Sequence, residues 1–292
     1  MTIYNLGSIN ADLAYSVPHL PMPGETLAAS EMSRGLGGKG ANMSVAAARA
    51  AGRVVHIGAV GKEGGWAVER LMEYGVDTRH IATVDAATGH AIILVDGQGE
   101  NSIVIHHGAN HAIPEELLGR VLADADTGDI LLMQNETLLQ PEAARMARKL
   151  GLRVAYAAAP FEPEAALAVL EHTDILVLNA IEMAQLEEAT GLDLPRMGVK
   201  TVIVTEGGDG CRIHLAENGW QPERFAAPKV DAVDTTGAGD TFTGYLIAGI
   251  DRGMPLRQAV DLATRAAAIM VTRRGTADVI PDLKDVQDAR LG

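Results

Sequence analysis

The residues best suited to chemistry are two acids flanking a Gly-Ala-Gly turn, Asp234-Thr-Thr-Gly-Ala-Gly-Asp240, placed directly before the apolar helical run Thr241–Ile250. Gly237 and Gly239 let the backbone bend and bring bare N–H groups close to a ligand. The start of the following helix adds unpaired donors and the positive end of its dipole. Asp240, fixed at that start, lies on this reading beside a bound anion. An N–H cradle suits the charge on a transferring phosphoryl group, and an adjacent carboxylate suits the hydroxyl that attacks it. The plainer alternative makes Asp240 an N-cap and Asp234 a turn former. Two glycines and a second acid favour the functional reading.

A second cluster, Gly35-Leu-Gly-Gly-Lys-Gly-Ala-Asn42, precedes the helical run Met43–Ala51. It matches G-x-G-x-x-G at Gly35, Gly37 and Gly40, but a dinucleotide fingerprint belongs in the first strand-to-helix turn. Here the first strand ends near Gly7. Lys39 is followed by Gly40 rather than Ser or Thr, so this is not a Walker A loop either. Lys39 and Asn42 are polar groups at an exposed helix start, able to bind sugar hydroxyls.

The elements that must position these residues alternate. Strand-like runs are Ile3–Gly7, Val54–Val60, Asp129–Met133, Val154–Ala157, Ile175–Leu178, Val202–Thr205 and Gly210–Leu215. Helical runs at Ala41–Ala51, Trp66–Tyr74, Pro141–Leu150 and Glu182–Thr190 each stop at a glycine. The alternation predicts an α/β fold with a mainly parallel sheet covered by helices on both faces. Two segments break it. Asp12–Arg34 carries three prolines and no regular period, and Thr88–His107 reads as two strands around Gly97-Gln-Gly99. Together, as insertions at about 12–34 and 88–107, they predict a small flap outside the main sheet. No linker separates domains, so residues 1–292 are expected to form one catalytic unit.

With 38 acids against 24 bases and a net charge of −14, the chain repels nucleic acid and anionic membranes. The single cysteine, Cys211, excludes an internal disulfide and fits a reducing compartment. The first residues lack a basic stretch, and no apolar run approaches the ~18 residues of a membrane span. A cytoplasmic protein is expected. His106, His107 and His111 invite a metal reading, but no Cys, Asp or Glu joins them at ligand spacing.

At this point the motifs carry a resemblance. Gly7-Ser-Ile-Asn-Ala-Asp12, Pro23-Gly-Glu-Thr26, Gly37-Gly-Lys-Gly-Ala-Asn42 and Asp234-Thr-Thr-Gly-Ala-Gly-Asp-Thr-Phe242 resemble the signature segments of the ribokinase-like (PfkB) carbohydrate kinases, closest to the ribokinases among them. Gly99-Glu-Asn101, His107-Gly-Ala-Asn110 and Val271-Thr-Arg-Arg-Gly275 agree in order and spacing, so the resemblance covers nearly the whole chain. It implies a three-layer α/β/α sandwich with a small β-sheet lid, magnesium–ATP as donor and a sugar hydroxyl as acceptor. In many members the lid also forms a dimer interface.

Carried onto this chain, the resemblance makes Asp240 the catalytic base and Gly237, Ala238 and Gly239 the anion hole. Asn10, Asp12, Gly38, Lys39 and Asn42 resemble the sugar-binding set, with Glu136 added. Asn179 and Glu182 match an N-x-x-E element that influences magnesium and phosphate binding, and Thr205, Gly207 and Gly210 fall where the family contacts ATP. Asp234 and Thr236, with Val271, Arg274 and Gly275 partly through backbone, resemble a monovalent-cation site, usually filled by potassium. Phosphoryl transfer has a loose transition state, so an aspartate of ordinary pKa suffices as base.

For the substrate, no Lys or Arg occurs in residues 1–33 or from His80 to Gly119, and Tyr15 is the only Phe, Tyr or Trp in the flap. A neutral sugar fits best, with D-ribose first. Fructose, a nucleoside or 2-keto-3-deoxygluconate are alternatives within the family, and a retired kinase fold acting as a sensor is the alternative outside it. A dehydrogenase is a distant fourth. Three departures from ribokinases stand out: Ala157 replaces a family Asn, the segment between Gly191 and Val202 is short, and Val279 occupies a position where ribokinases often carry a cation-assisting Ser.

Overall fold

The computed structural model describes residues 1–291. Its strands are β1 (Ile3–Leu6), β2 (Asn10–Ser16), β3 (Glu31–Gly37), β4 (Val54–Gly61), β5 (Ile81–Val84), β6 (Gly89–Val95), β7 (Asn101–His106), β8 (Ile130–Met133), β9 (Arg153–Ala157), β10 (Ile175–Asn179), β11 (Thr201–Thr205), β12 (Cys211–Leu215) and β13 (Glu223–Phe225). The helices are α1 (Lys39–Arg49), α2 (Gly65–Glu73), α3 (Glu115–Leu122), α4 (Gln140–Leu150), α5 (Pro163–Leu170), α6 (Ala180–Thr190), α7 (Leu194–Met197), α8 (Ala238–Asp251), α9 (Leu256–Met270) and α10 (Leu283–Asp288).

Nine strands form one sheet in the order β13-β12-β11-β10-β9-β8-β1-β4-β5, parallel from β11 to β5 and antiparallel at the β12 and β13 edge. The central strands are apolar on both faces because both faces are covered. In β1 and β8, Ile3, Ile130 and Leu132 pack into the core that includes α1, α8 and α9. Tyr4, Leu6, Leu131 and Met133 pack into the opposite core, with α3, α4 and α6. The result is a three-layer α/β/α sandwich.

The expected strands and helices all appear, with ends within two residues of the sequence reading except at α8, which starts three residues before Thr241. β5, β13, α3, α5, α9 and α10 are additional. The short segment after Gly191 still holds a helix, the single turn α7, whose backbone at Arg196 donates to the Asp193 carboxylate. Among the described residues no helix is long and apolar enough to cross a membrane.

A separate four-stranded sheet has the order β3-β2-β6-β7. β2 pairs antiparallel with β3 and parallel with β6, and both pairings begin at Asn10, opposite Gly37 and Gly89. Asp12–Arg34 therefore contains most of two strands. Its prolines lie in the connection between them, and the strands show no alternation because β2 is only half-buried and β3 largely exposed.

Candidate active site

Every predicted site residue on the main sheet lies at or beyond the C-terminal ends of its parallel strands, the edge where open α/β sheets bind ligands. At the entrance to α8, Gly237 is the N-cap residue, with φ of +76° in the left-handed region that favours glycine. Asp240 therefore does not cap the helix. It sits in the first turn, 6% exposed, where its Oδ2 accepts a hydrogen bond from Asn42 Nδ2 at 2.9 Å. Gly239 sits in the same turn with no atom within 4 Å of where a Cβ would stand, leaving that face open. Asp234 does shape the turn: its Oδ1 accepts from Thr236 N at 2.9 Å. Its Oδ2 accepts from Gly275 N at 3.2 Å, tying the helix entrance to the segment after α9.

The start of α1 is held from a distance. Gly38, at φ of +91°, is its N-cap residue and supplies no side chain. The buried Glu136 carboxylate takes over, accepting from Lys39 N at 2.9 Å and from the Ser8 hydroxyl. Ser8 Oγ in turn accepts from Gly40 N at 3.2 Å. A carboxylate at this end of the helix also meets the positive end of its dipole. Ser8 was hidden from sequence reasoning because its role exists only once β1, α1 and the turn after β8 meet.

Helices α1 and α8 cross closely. A Cβ on Gly244 would stand 2.5 Å from Ala46 Cβ and 2.6 Å from the Met43 carbonyl oxygen. Gly244 lies one turn beyond Asp240, and Ala46 one turn beyond Asn42. The same seam therefore sets the separation of Asn42 and Asp240.

Charge is concentrated here. Burial, then the nearby Glu136 and Asp240 carboxylates, raise the Asp12 pKa to about 7. Burial also raises Asp240, opposed by the Lys39 charge and the Asn42 hydrogen bond. Lys39 is held above its ordinary value chiefly by Asp240, then by Glu136 and Glu182, against the effect of burial. Burial raises Glu182 too, while the Asn179 N–H and Lys39 lower it. Sugar-set and nucleotide-set residues thus share one electrostatic cluster. Asn179 and Glu182 also form a capping box on α6: Asn179 Oδ1 accepts from Glu182 N at 2.8 Å, and Glu182 Oε2 accepts from Asn179 N at 2.8 Å.

Beside the α8 entrance lies a cavity of about 430 Å³, walled by Thr205, Gly207, Gly210, Lys229, Ala238 and Phe242 among others. Its size suits a small organic ligand, and its lining is mostly apolar, as ligand pockets generally are. The three residues predicted to contact ATP share this wall with Ala238 and Gly239. Val271 lines it as well, and its carbonyl accepts from both Val233 N and Asp234 N, at 2.7 and 3.1 Å. That makes it the most heavily engaged oxygen of the predicted cation set. Val279 lies against the same turn, with its Cγ1 3.4 Å from where a Cβ on Gly275 would stand. His107 and His111 are stacked with ring centroids 4.0 Å apart, and among the described residues no group of three His, Cys, Asp or Glu could hold a metal ion.

Beneath the α1 start runs a buried polar chain whose proton order is fully determined. Gln134 Nε2 donates to Asn5 Oδ1, and Asn5 Nδ2 donates to the Gly40 carbonyl and to Ser44 Oγ, each at 2.8 Å. Ser44 then donates to His56 Nδ1 at 2.8 Å, so His56 carries its proton on Nε2, which donates to the Gly7 carbonyl at 3.1 Å. Burial lowers the His56 pKa to about 4. The unfolded chain gains a proton here as pH falls through 6.5, whereas the folded protein refuses it until about 4. Stability is therefore lost as pH falls across that window, by about 3 kcal/mol in full. The thermal midpoint of wild type should fall relative to His56→Leu between pH 6.5 and 4.5. That comparison cancels Asp12, whose raised pKa acts in the opposite direction.

A helix start with a buried carboxylate on one side and a pocket on the other is an arrangement compatible with phosphoryl transfer to a small hydroxyl compound. A family model for pfkB family carbohydrate kinases matches residues 2–283. The chain is 35% identical to the ribokinase of Haemophilus influenzae, over 96% of this chain and 95% of that one. It is similar to a ribokinase from Thermotoga maritima, with TM-score 0.88, 32% identity and 98% of each chain covered. It is also similar to a ribokinase from Arabidopsis thaliana complexed with ribose and ATP, with TM-score 0.87, 28% identity, and 98% of this chain and 97% of that one covered. The chain belongs to the pfkB family of carbohydrate kinases and is an ATP-dependent carbohydrate kinase.

Proposed function

We propose that this enzyme phosphorylates a hydroxyl of D-ribose, with Asp240 as base and the backbone of Gly237, Ala238 and Gly239 as anion hole. The observation that carries the reading is the Asn42–Asp240 pair at the junction of the polar cluster and the pocket. The sugar lies against Asn10, Asp12, Gly38, Lys39, Asn42 and Glu136. ATP fills the pocket along Thr205, Gly207 and Gly210 with its γ-phosphate toward α8. Asp240 accepts the proton of the attacking hydroxyl late, once the bond to phosphorus is forming. Its burial makes it a stronger base than an ordinary aspartate. The ribokinase relatives and a small sheet in which Arg34 is the only Lys or Arg support a neutral sugar. ADP release measured with magnesium–ATP across ribose, fructose, adenosine and 2-keto-3-deoxygluconate tests this, and stimulation by another member of the panel in place of ribose would overturn it.

Three carboxylates acting on one lysine, with Asp12 beside them, favour a nucleotide that arrives carrying its own cation, so magnesium–ATP fits the donor set. Glu182, with Asn179 behind it, would bind the metal's water shell, and the ion itself would neutralise phosphate charge. A potassium ion fits the Asp234 carboxylate and the Arg274–Gly275 turn. The Val279 side chain offers it no oxygen, and its carbonyl accepts from Arg273 Nη1.

Asp12 gives the reading a pH signature. Its carboxylate form accepts hydrogen bonds from sugar hydroxyls, and that form is gained as pH rises through about 7. The sugar KM should fall about tenfold from pH 6 to pH 8, and Asp12→Asn should abolish that dependence.

The small sheet, which itself carries Asp12 on β2, acts as the lid in this proposal, closing toward Asn42 to exclude water. Its edge strand β7 is exposed along its whole length, including Ile103, Val104 and Ile105. A second copy of the chain covers this face, and sedimentation velocity giving a monomer at micromolar concentration would remove that part of the reading.

A further inference from the structure

We propose that Asn110 is a positioning residue that fixes Asn10 as a hydrogen-bond donor to the acceptor sugar. The inference rests on the reading of Asn10 as a sugar-binding residue. Asn110 is 1% exposed and lies in the 3-10 turn Gly108–His111 that follows β7. Its Oδ1 accepts from Ile9 N at 2.9 Å, and its Nδ2 donates to Asn10 Oδ1 at 2.7 Å.

An amide side chain can present either end to a partner, but a backbone N–H can only donate. Ile9 N therefore compels Asn110 to offer its oxygen, which turns the Asn110 NH₂ toward Asn10. Asn10 must answer with its own oxygen. Its NH₂ is left with no protein acceptor among the described residues. The main chain thus sets, through one relay, which end of Asn10 is available to a sugar.

Gly89 belongs to the same device. It opens β6 and pairs with Asn10 across the β2–β6 ladder. A Cβ on Gly89 would stand 2.2 Å from Asn110 Nδ2 and 2.4 Å from Asn10 Oδ1. The Asn10–Asn110 bond therefore passes directly over the Gly89 backbone, at the point where β2 and β6 leave the body for the small sheet. Any side chain there breaks the bond.

The test is steady-state kinetics with D-ribose and magnesium–ATP on wild type, Asn110→Asp, Gly89→Ala and Asn10→Ala. In Asn110→Asp the ionised carboxylate still accepts from Ile9 N but cannot donate, so Asn10 turns its NH₂ inward and offers the sugar an oxygen. At pH 8 the ribose KM of this variant should rise about tenfold while the ATP KM changes less than about twofold. As pH falls to 6 and the buried carboxyl takes up a proton, it regains a donor, and the deficit relative to wild type should shrink. Packing damage alone would give no such recovery. Gly89→Ala should show the same KM split without the pH recovery, and it carries the test if Asn110→Asp does not fold. The inference is overturned if Asn10→Ala raises the ribose KM while Asn110→Asp and Gly89→Ala leave it unchanged, or if those two raise both KM values alike. If Asn10→Ala leaves the ribose KM unchanged, the sugar-site reading itself is wrong and the relay falls with it.

Discussion

Asp240→Asn is expected to lower kcat by about a thousandfold, within the range usual for loss of a general base. Both KM values should change little. The substitution is nearly isosteric, and an Asn at this position can still accept from Asn42 Nδ2 through its own oxygen, so the local hydrogen bond at 2.9 Å survives. What is lost is the only buried carboxylate at the first turn of α8. Sugar-stimulated ADP formation together with calorimetric binding of both substrates checks this. A variant that keeps more than a tenth of wild-type turnover would show that Asp240 is not the base and that alignment alone carries the reaction.

Gly244→Ala should damage both stability and turnover, although it lies a full helical turn from Asp240. Its new methyl would stand 2.5 Å from Ala46 Cβ and 2.6 Å from the Met43 carbonyl. The second contact is with backbone of a helix, which cannot swing away as a flexible side chain can. Overpacking of this kind costs roughly 1–3 kcal/mol. Relief requires α1 and α8 to separate, and separation lengthens the Asn42–Asp240 contact. We expect a lowered thermal midpoint and at least a tenfold fall in kcat on the scale of misaligned reactive groups. Gly119→Ala, in α3, is the control: nothing lies within 4 Å of its Cβ position, so it should be neutral or slightly stabilising. If Gly244→Ala matched that control, the helix seam would have no part in aligning the site.

Much of this arrangement can be read from residues alone, for reasons that differ by element. The alternation of Val/Ile/Leu runs with Ala-rich helical runs reports burial on both sheet faces, so the main sheet and the helices α1, α2, α4 and α6 are legible. The Asp234–Asp240 and Gly37–Asn42 segments are legible as motifs because each packs several unusual residues into a short turn. β2 and β3 are not, since strands without a buried face impose no alternation. α9 offered a readable signal, with Leu256, Val260 and Ala263 at helical spacing. The remote cap on α1 could not be found from sequence, because Glu136 is about a hundred positions from Lys39 and nothing local connects them. The capping box at Asn179 and Glu182 is a third kind of case: a local pattern accounts for the pair structurally, and proximity to Lys39 and Asp240 gives it a second role.

The fixed proton order around His56 makes that residue a natural spectroscopic probe. An imidazole held as a single tautomer, with both nitrogens bonded and no exposed surface, gives one well-defined pair of ring-nitrogen resonances and an Nε2 proton that exchanges slowly with solvent. Because Asn5 also bonds Gly40, the residue after Lys39, and His56 bonds Gly7, occupation of the proposed sugar site should move the His56 signals without His56 touching the ligand. One isotope-labelled histidine could then follow substrate binding in solution.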